Sequence, residues 1–184
     1  MAIQVEKTFI EGLLLVKPDV FSDARGYFFE AFNENKYKSI GIDCKFVQDN
    51  ISKSLKNTIR GLHYQVGDFA QGKLCSVIYG KVMDVAVDIR FNSPTFGKYY
   101  SCELSEVNKY QLWIPPGFAH GFCVLSDEAI FSYKCTALYS KENERSILYN
   151  DPSINIDWNN KDPLVSEKDL RAKNFSEIEK DFIY

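Results

Sequence analysis

The chain is punctuated so often by Gly, Pro, Asn and Asp that few stretches are long enough to form a helix. Between the breaks lie short apolar or alternating segments, at residues 9–16, 27–31, 46–52, 58–64, 74–79, 82–88, 99–104, 111–114, 121–124 and 129–136. Short strands at this close, regular spacing predict a sandwich or barrel. The 14 Phe, 11 Tyr and 2 Trp agree, because aromatic side chains favour strands and also offer stacking surfaces. Gly80-Lys81, between two apolar runs, predicts a tight turn. Helix signals are few. Residues 33–40 predict a short helix, with Asn33 as N-cap and Gly41 just past its end. Ser166-Glu-Lys-Asp169 resembles a capping box. Residues 175–184 carry Ile178 and Phe182 four apart and suggest a docking helix. With 184 residues, the expectation is a single all-β domain over 1–184, mostly antiparallel, with short peripheral helices.

Charge and cysteine usage narrow the function. The net charge is −3 and no basic run is present, so a nucleic-acid partner is not expected. Any phosphate site must be local, built from a few placed Arg or Lys residues. Cys44, Cys75, Cys102, Cys123 and Cys135 are odd in number, scattered, and form no C-x-x-C pair. They read as free thiols in a reducing cytoplasm, with Cys75, Cys123 and Cys135 inside apolar runs. The opening MAIQVEKTF lacks a basic segment followed by an apolar one, and no apolar run approaches the roughly 20 residues needed to cross a bilayer. Neither a signal peptide nor a membrane partner is expected.

Histidine is the scarcest chemistry-bearing residue. There are two, His63 in Ile-Arg-Gly-Leu-His-Tyr and His120 in Pro-Pro-Gly-Phe-Ala-His-Gly-Phe. No H-x-H pair exists, and two remote histidines do not make a three- or four-ligand site, so no metal is expected. A lone histidine is usually structural. His63, however, follows Arg60 by three residues and precedes Lys73 by ten, and Tyr133 lies in a late strand segment. Histidine is the natural base near neutral pH, lysine a point cation for a developing oxyanion, and tyrosine a proton donor. Together they suit proton abstraction beside a carbonyl. Strand alternation sets a condition: Arg60 and His63 are an odd number apart and face opposite sides of a regular strand. If both serve one site, Gly61 marks a bulge or bend.

An ordered set of motifs then closely resembles the dTDP-4-dehydrorhamnose 3,5-epimerase family. The set is Phe21-Ser-Asp-Ala-Arg25-Gly-Tyr-Phe-Phe-Glu30, Phe46-Val-Gln48-Asp-Asn50, Ile59-Arg60-Gly-Leu-His63-Tyr-Gln65 and Gln71-Gly-Lys73-Leu. It continues with Asp84-Val-Ala-Val-Asp88, Trp113-Ile-Pro-Pro-Gly-Phe-Ala-His120-Gly-Phe, Tyr133-Lys-Cys-Thr136 and Ser166-Glu-Lys-Asp169. The resemblance implies a cupin-type jelly-roll barrel, a nucleotide-diphosphate sugar substrate, no cofactor and a homodimer. It implies His63 as base, Asp169 orienting it, Lys73 stabilising a C4 enolate and Tyr133 as acid on the opposite face. Arg60 and Arg25 would bind the diphosphate, helped by Gln48 and Asn50. Phe21 and Glu30 match nucleotide-contacting positions, Tyr139 would stack near the base, and His120 lies beside the substrate. In the dimer the segment from Tyr27 to Glu30 would serve the partner's site.

Each assignment has a plainer rival. Asp169 occupies a capping position, Glu30 reads equally as a surface charge, Phe21 and Tyr139 as core aromatics, and His120 as a loop anchor. Gln48 and Asn50, two apart, share a strand face. No G-x-G-x-x-G fingerprint is present, as suits a reaction without a redox cofactor. Two departures stand out: Ala137 and Leu138 replace an acidic and an aromatic residue, and Gly72 stands where many relatives have Ala. Alternatives are a C3-only epimerase, an enzyme for another 4-keto sugar (GDP-linked or heptose), a 3,4-ketoisomerase, or a non-enzymatic sugar-binding cupin.

Overall fold

A computed structural model describes residues 3–184. Its strands are β1 (Ile3–Lys7), β2 (Leu14–Pro18), β3 (Phe21–Asp23), β4 (Gly26–Phe28), β5 (Gln48–Leu55), β6 (Thr58–Gln65) and β7 (Lys73–Tyr79). They continue with β8 (Lys81–Asp88), β9 (Tyr99–Ser105), β10 (Gln111–Ile114), β11 (Phe118–Val124), β12 (Glu128–Cys135), β13 (Glu144–Ser146) and β14 (Leu164–Val165). The α-helices are α1 (Glu34–Ser39) and α2 (Glu167–Leu170).

The strands form two large sheets, β1-β2-β10-β7-β12-β5 and β13-β6-β11-β8-β9, with β14 added to β6 and β3-β4 as a separate hairpin. All pairings between these strands are antiparallel except β14 on β6. This is the expected all-β jelly roll. Leu15, Cys75, Val77, Leu112, Ala129 and Phe131 of the first sheet meet Val82, Ala86, Leu104, Phe122 and Val124 of the second across the interior.

The outer faces are covered in part as well. The C-terminal third lays Ile147, Ile154, Ile156 and Trp158 over Ile59, Leu62, Val85 and Val87. The first helix buries Tyr37 with Ile42 against Val16, Leu74 and Trp113. Strands buried on two faces lose the in–out alternation and read as continuous apolar runs, as β11 does: every residue from Phe118 to Val124 is buried. Asn33 caps α1 by accepting from the Lys36 N–H, and Gly41 follows at φ +96°, as the sequence indicates.

Three expectations need correction. Residues 175–184 are not a docking helix. A single 3₁₀ turn, Phe175–Glu177, carries an Asn174/Glu177 capping box, and the chain then extends. Phe91 and Ile183 form a parallel bridge, while Ile178 and Phe182 still pack on the core. The i, i+4 spacing reported burial rather than helix, because backbone partners on the 90s loop were available. Residues 9–16 are a strand only from Leu14, since Ile10 to Leu13 make a tight turn. Residues 27–31 are a strand only to Phe28. Gly80 does turn, at φ +74°, but it carries the chain from one sheet to the other and joins no hairpin.

The feature that places the site is the anticipated irregularity at Gly61. His63 pairs with His120 and Arg60 with Phe122, so two residues of β6 oppose Gly121 alone. This bulge puts Ile59, Leu62 and Tyr64 on the outer face and leaves Arg60 and His63 together on the inner one. Gly61 has φ +121°, and a Cβ there would lie 2.6 Å from Gly121 Cα and 2.7 Å from the His120 carbonyl oxygen. Gly61→Ala should therefore cost about 3 kcal/mol in urea unfolding, from backbone strain plus overpacking. A cost within experimental error would mean that the two strands are less tightly apposed.

Candidate active site

The inner ends of both sheets enclose a cavity of about 340 Å³. From one sheet β6 contributes Arg60 and His63, and β11 contributes His120 and Phe122. From the other, β7 contributes Lys73 and β12 Tyr133. The start of α2 closes it with Ser166, Lys168 and Asp169, and Tyr139 and Glu144 line it from the loop after β12 and from β13. Residues scattered over more than a hundred positions thus converge, as the sequence reading required of Arg60, His63, Lys73, His120, Tyr133, Tyr139 and Asp169.

His63 Nε2 lies 2.6 Å from Asp169 Oδ1. With that proton donated to the carboxylate, the imidazole's lone pair is on Nδ1. Asp169 answers both readings offered for it. Its backbone N–H donates to the Ser166 hydroxyl at 3.1 Å, so Ser166 is the helix cap, while its side chain turns to His63. Burial pushes the Asp169 carboxyl up, but hydrogen bonds and charge from His63, with bonds involving Ser166 and the Gly61 backbone, outweigh it and hold the group below the usual carboxylate range. The bulge residue and the His63 imidazole thus grip the same carboxylate.

Burial is the dominant influence on the other groups. It pushes the Lys73 ammonium below its ordinary value, partly offset by Cys75, Cys135, Asp84 and Glu144. Lys73 Nζ reaches the His63 carbonyl oxygen at 3.4 Å. Burial raises the Tyr133 hydroxyl to about 12, which keeps its proton in place at neutral pH. Burial also lowers His120, against the opposing pull of Asp84, whose Oδ1 is 2.7 Å from His120 Nε2. Phe131 stacks against both His120 and Phe122 and packs on Tyr133, forming an aromatic wall beneath the cavity. Arg60 donates from Nε to the Ser54 hydroxyl at 2.9 Å.

Other expected residues lie outside the cavity. Gln48 and Asn50 do share a face of β5 and are hydrogen-bonded to each other at 3.0 Å. Gln48 also accepts from the Tyr139 backbone N–H, and so holds the loop that presents the tyrosine. Phe21 and Arg25 belong to the β3–β4 hairpin and line its own shallow pocket. Arg25 pairs there with Asp23. Glu30 pairs with Lys36 beside α1. Gly72 is explained by packing: a Cβ there would sit 2.5 Å from the Trp113 ring.

Several cavity residues escaped the sequence reading. Glu144 joins the Tyr139 hydroxyl and Lys168 at the rim. Both charges sit in polar stretches that look like ordinary solvated surface. Behind the cavity, Asp84, quoted above only as part of a motif, also left a local signal, a carboxylate in the middle of the apolar run Val82-Met-Asp84-Val-Ala-Val. Cys75, Asp84 and His120, all buried, offer ligand atoms within 4.8 Å of one another, a grouping that spacing in sequence could not disclose.

A jelly roll with a carboxylate-held imidazole, a buried lysine and a protonated tyrosine facing one cavity is a cupin-type fold equipped for proton transfer. The family model for dTDP-4-dehydrorhamnose 3,5-epimerase matches residues 7–177. The chain is 55% identical over 174 residues to dTDP-4-dehydrorhamnose 3,5-epimerase of Shigella flexneri, covering 94% of this chain and 96% of that one. It resembles the crystal structure of dTDP-6-deoxy-D-glucose-3,5-epimerase from Legionella pneumophila in complex with dTDP-4-keto-L-rhamnose. That TM-score is 0.95 at 47% identity, over 99% and 98% of the two chains. The dTDP-4-dehydrorhamnose 3,5-epimerase of Elizabethkingia anophelis gives 0.91 at 49%, over 96% and 98%. The chain belongs to the dTDP-4-dehydrorhamnose 3,5-epimerase family.

The His63–Asp169 bond links folding to pH. The folded Asp169 carboxyl lies below its unfolded value, so its stabilisation is complete above about pH 4 and is lost as pH falls through the folded value. Asp169→Asn should flatten the acid side of the unfolding free-energy profile in a series of urea titrations. An unchanged acid slope would remove this bond from the account.

Proposed function

We propose that this protein inverts C3 and C5 of dTDP-4-dehydro-6-deoxyglucose to give dTDP-4-dehydrorhamnose. The observation that carries the reading is the disposition of base and acid: His63 projects from one sheet and Tyr133 from the facing one, into one cavity. A substrate ring lying between them presents opposite faces to the two groups. Protons at C3 and C5 are both α to the C4 ketone. His63 takes one of them, with Asp169 fixing the tautomer and stabilising the imidazolium that forms. The electron pair passes to the C4 oxygen, where Lys73 offers a buried ammonium whose partners strengthen in the water-poor interior. Tyr133 returns a proton to carbon from the other face, and solvent restores both side chains. Repetition at the neighbouring carbon completes the double inversion. Arg60 serves the diphosphate, and Tyr139, half exposed at the rim, serves the base.

The remaining substrate contacts come from a second subunit in this reading. The β3–β4 hairpin exposes Phe21, Tyr27 and Phe28, and Phe21, Arg25 and Glu30 do not line the cavity of their own chain. A homodimer in which this hairpin reaches the partner's site gives these residues a use. No helix among the described residues is long and apolar enough to cross a membrane, and the five free cysteines suit a reducing cytoplasm.

Proton NMR in D₂O with the dTDP-linked 4-keto sugar tests the chemistry. Deuterium should enter C3 and C5, and His63→Ala should slow both by at least about 10²-fold. Tyr133→Phe should impair inversion more than the first exchange. Deuterium at C3 alone would make the protein a 3-epimerase, and none at either carbon would redirect the assignment to another nucleotide sugar. Subunit mixing tests the shared site. Arg25→Ala and His63→Ala, each nearly inactive, should regain roughly a quarter of wild-type activity when refolded together, since half the dimers then hold one intact site. No recovery would confine each site to one chain.

A further inference from the structure

Behind the cavity, Asp84 is fully buried, and only one of its carboxylate oxygens is satisfied. Oδ1 meets His120 Nε2 at 2.7 Å, while Oδ2 has no hydrogen-bond partner among the described residues. A buried carboxylate oxygen left unpaired is costly, and such an atom marks a place where a donor or cation belongs. The third member of the group is Cys75, also fully buried, with Sγ 3.7 Å from His120 Nε2. The three side chains come from β7, β8 and β11, so the two facing sheets hold the donors rigidly.

We propose that Cys75, Asp84 and His120 form a binding site for a zinc-class divalent cation whose occupancy inhibits the enzyme. The donor set is one sulfur, one oxygen and one nitrogen, which suits a borderline-soft ion such as Zn(II) and not Mg(II) or Ca(II). Ligand atoms about 2.0–2.3 Å from a tetrahedral zinc lie about 3.3–3.8 Å from each other. The His120–Cys75 separation already falls in this range, and the His120–Asp84 separation reaches it by a small opening. Binding forms three metal–ligand bonds, releases the Cys75 thiol proton to solvent and moves the His120 proton from Nε2, where it bonds Asp84, to Nδ1, freeing the Nε2 lone pair for the metal. His120 itself lines the cavity, so the site adjoins it. Inhibition follows from charge and place. A dication here draws His120 away from its bond with Asp84, and it repels the Lys73 ammonium, which shares this interior two residues from Cys75.

The test uses the full chain, freed of metal by chelation and titrated with Co(II). A thiolate-to-cobalt charge-transfer band should grow to about one equivalent per chain and vanish when Zn(II) is added. Cys75→Ala should abolish the band, whereas Cys123→Ala, which removes a buried thiol on the outer face of β11, should keep it. Zn(II) should inhibit epimerisation by the unaltered protein, and Cys75→Val should weaken that inhibition at least about tenfold. Absence of the band, its survival in Cys75→Ala, or equal zinc inhibition of Cys75→Val would each overturn the proposal. The cobalt spectrum does not require the sugar substrate. It therefore decides the metal site even if the protein proves inactive on dTDP-4-dehydro-6-deoxyglucose.

Discussion

The site depends on a single close approach between β6 and β11, where Gly61 and Gly121 meet backbone to backbone. Without the extra residue there, alternation would turn either Arg60 or His63 outward, into the apolar layer under Ile147 and Trp158. The bulge brings the two onto one face, and its Gly61 backbone also helps to hold Asp169 against His63. Strand geometry, the orientation of the His63 imidazole and this part of the cavity lining are therefore one arrangement. A side chain at residue 61 would disturb all three together.

A second constraint is the polarity of the barrel's interior. Lys73, Asp84, His120 and Asp169 are all buried, in a space that elsewhere holds Phe122, Phe131 and Leu112. Such groups are expensive to desolvate, and the fold meets the cost by pairing them: His63 with Asp169, and His120 with Asp84. Among the described residues Lys73 has only the His63 carbonyl, at long range, and burial lowers its affinity for a proton. A cation left under-solvated is one that gains when negative charge develops beside it. The stability lost at these positions and the chemistry proposed for them have the same physical origin.

Legibility in the sequence varied with how local each signal was. The cap at Asn33, the strand spanned by Gln111–Ile114 and the irregularity at Gly61 were all readable, because each rests on a few neighbouring residues. The C-terminal segment was misread because Ile178 and Phe182 are buried by an extended chain, and a spacing of four does not distinguish the two ways of burying them. Gly80 was recognised as a turn, but whether a turn joins partners in one sheet or changes sheets depends on strands far away in the chain. Glu144 and Lys168 carried no signal, since charges on a rim and charges on an open surface are written alike.

The amino-acid order alone carries the strand-rich class, the irregularity at Gly61 and, through the ordered motifs, the family. These follow from local backbone preferences and from residue chemistry, both properties of short segments. It took the packed fold to show that His63 and Tyr133 come from facing sheets and that the Asp169 side chain bonds His63 while Ser166 does the capping. The same is true of Cys75, Asp84 and His120, which come together behind the cavity. The reason is long-range strand pairing: which residues share an interior is set by register between segments tens of residues apart, and no single segment contains that information.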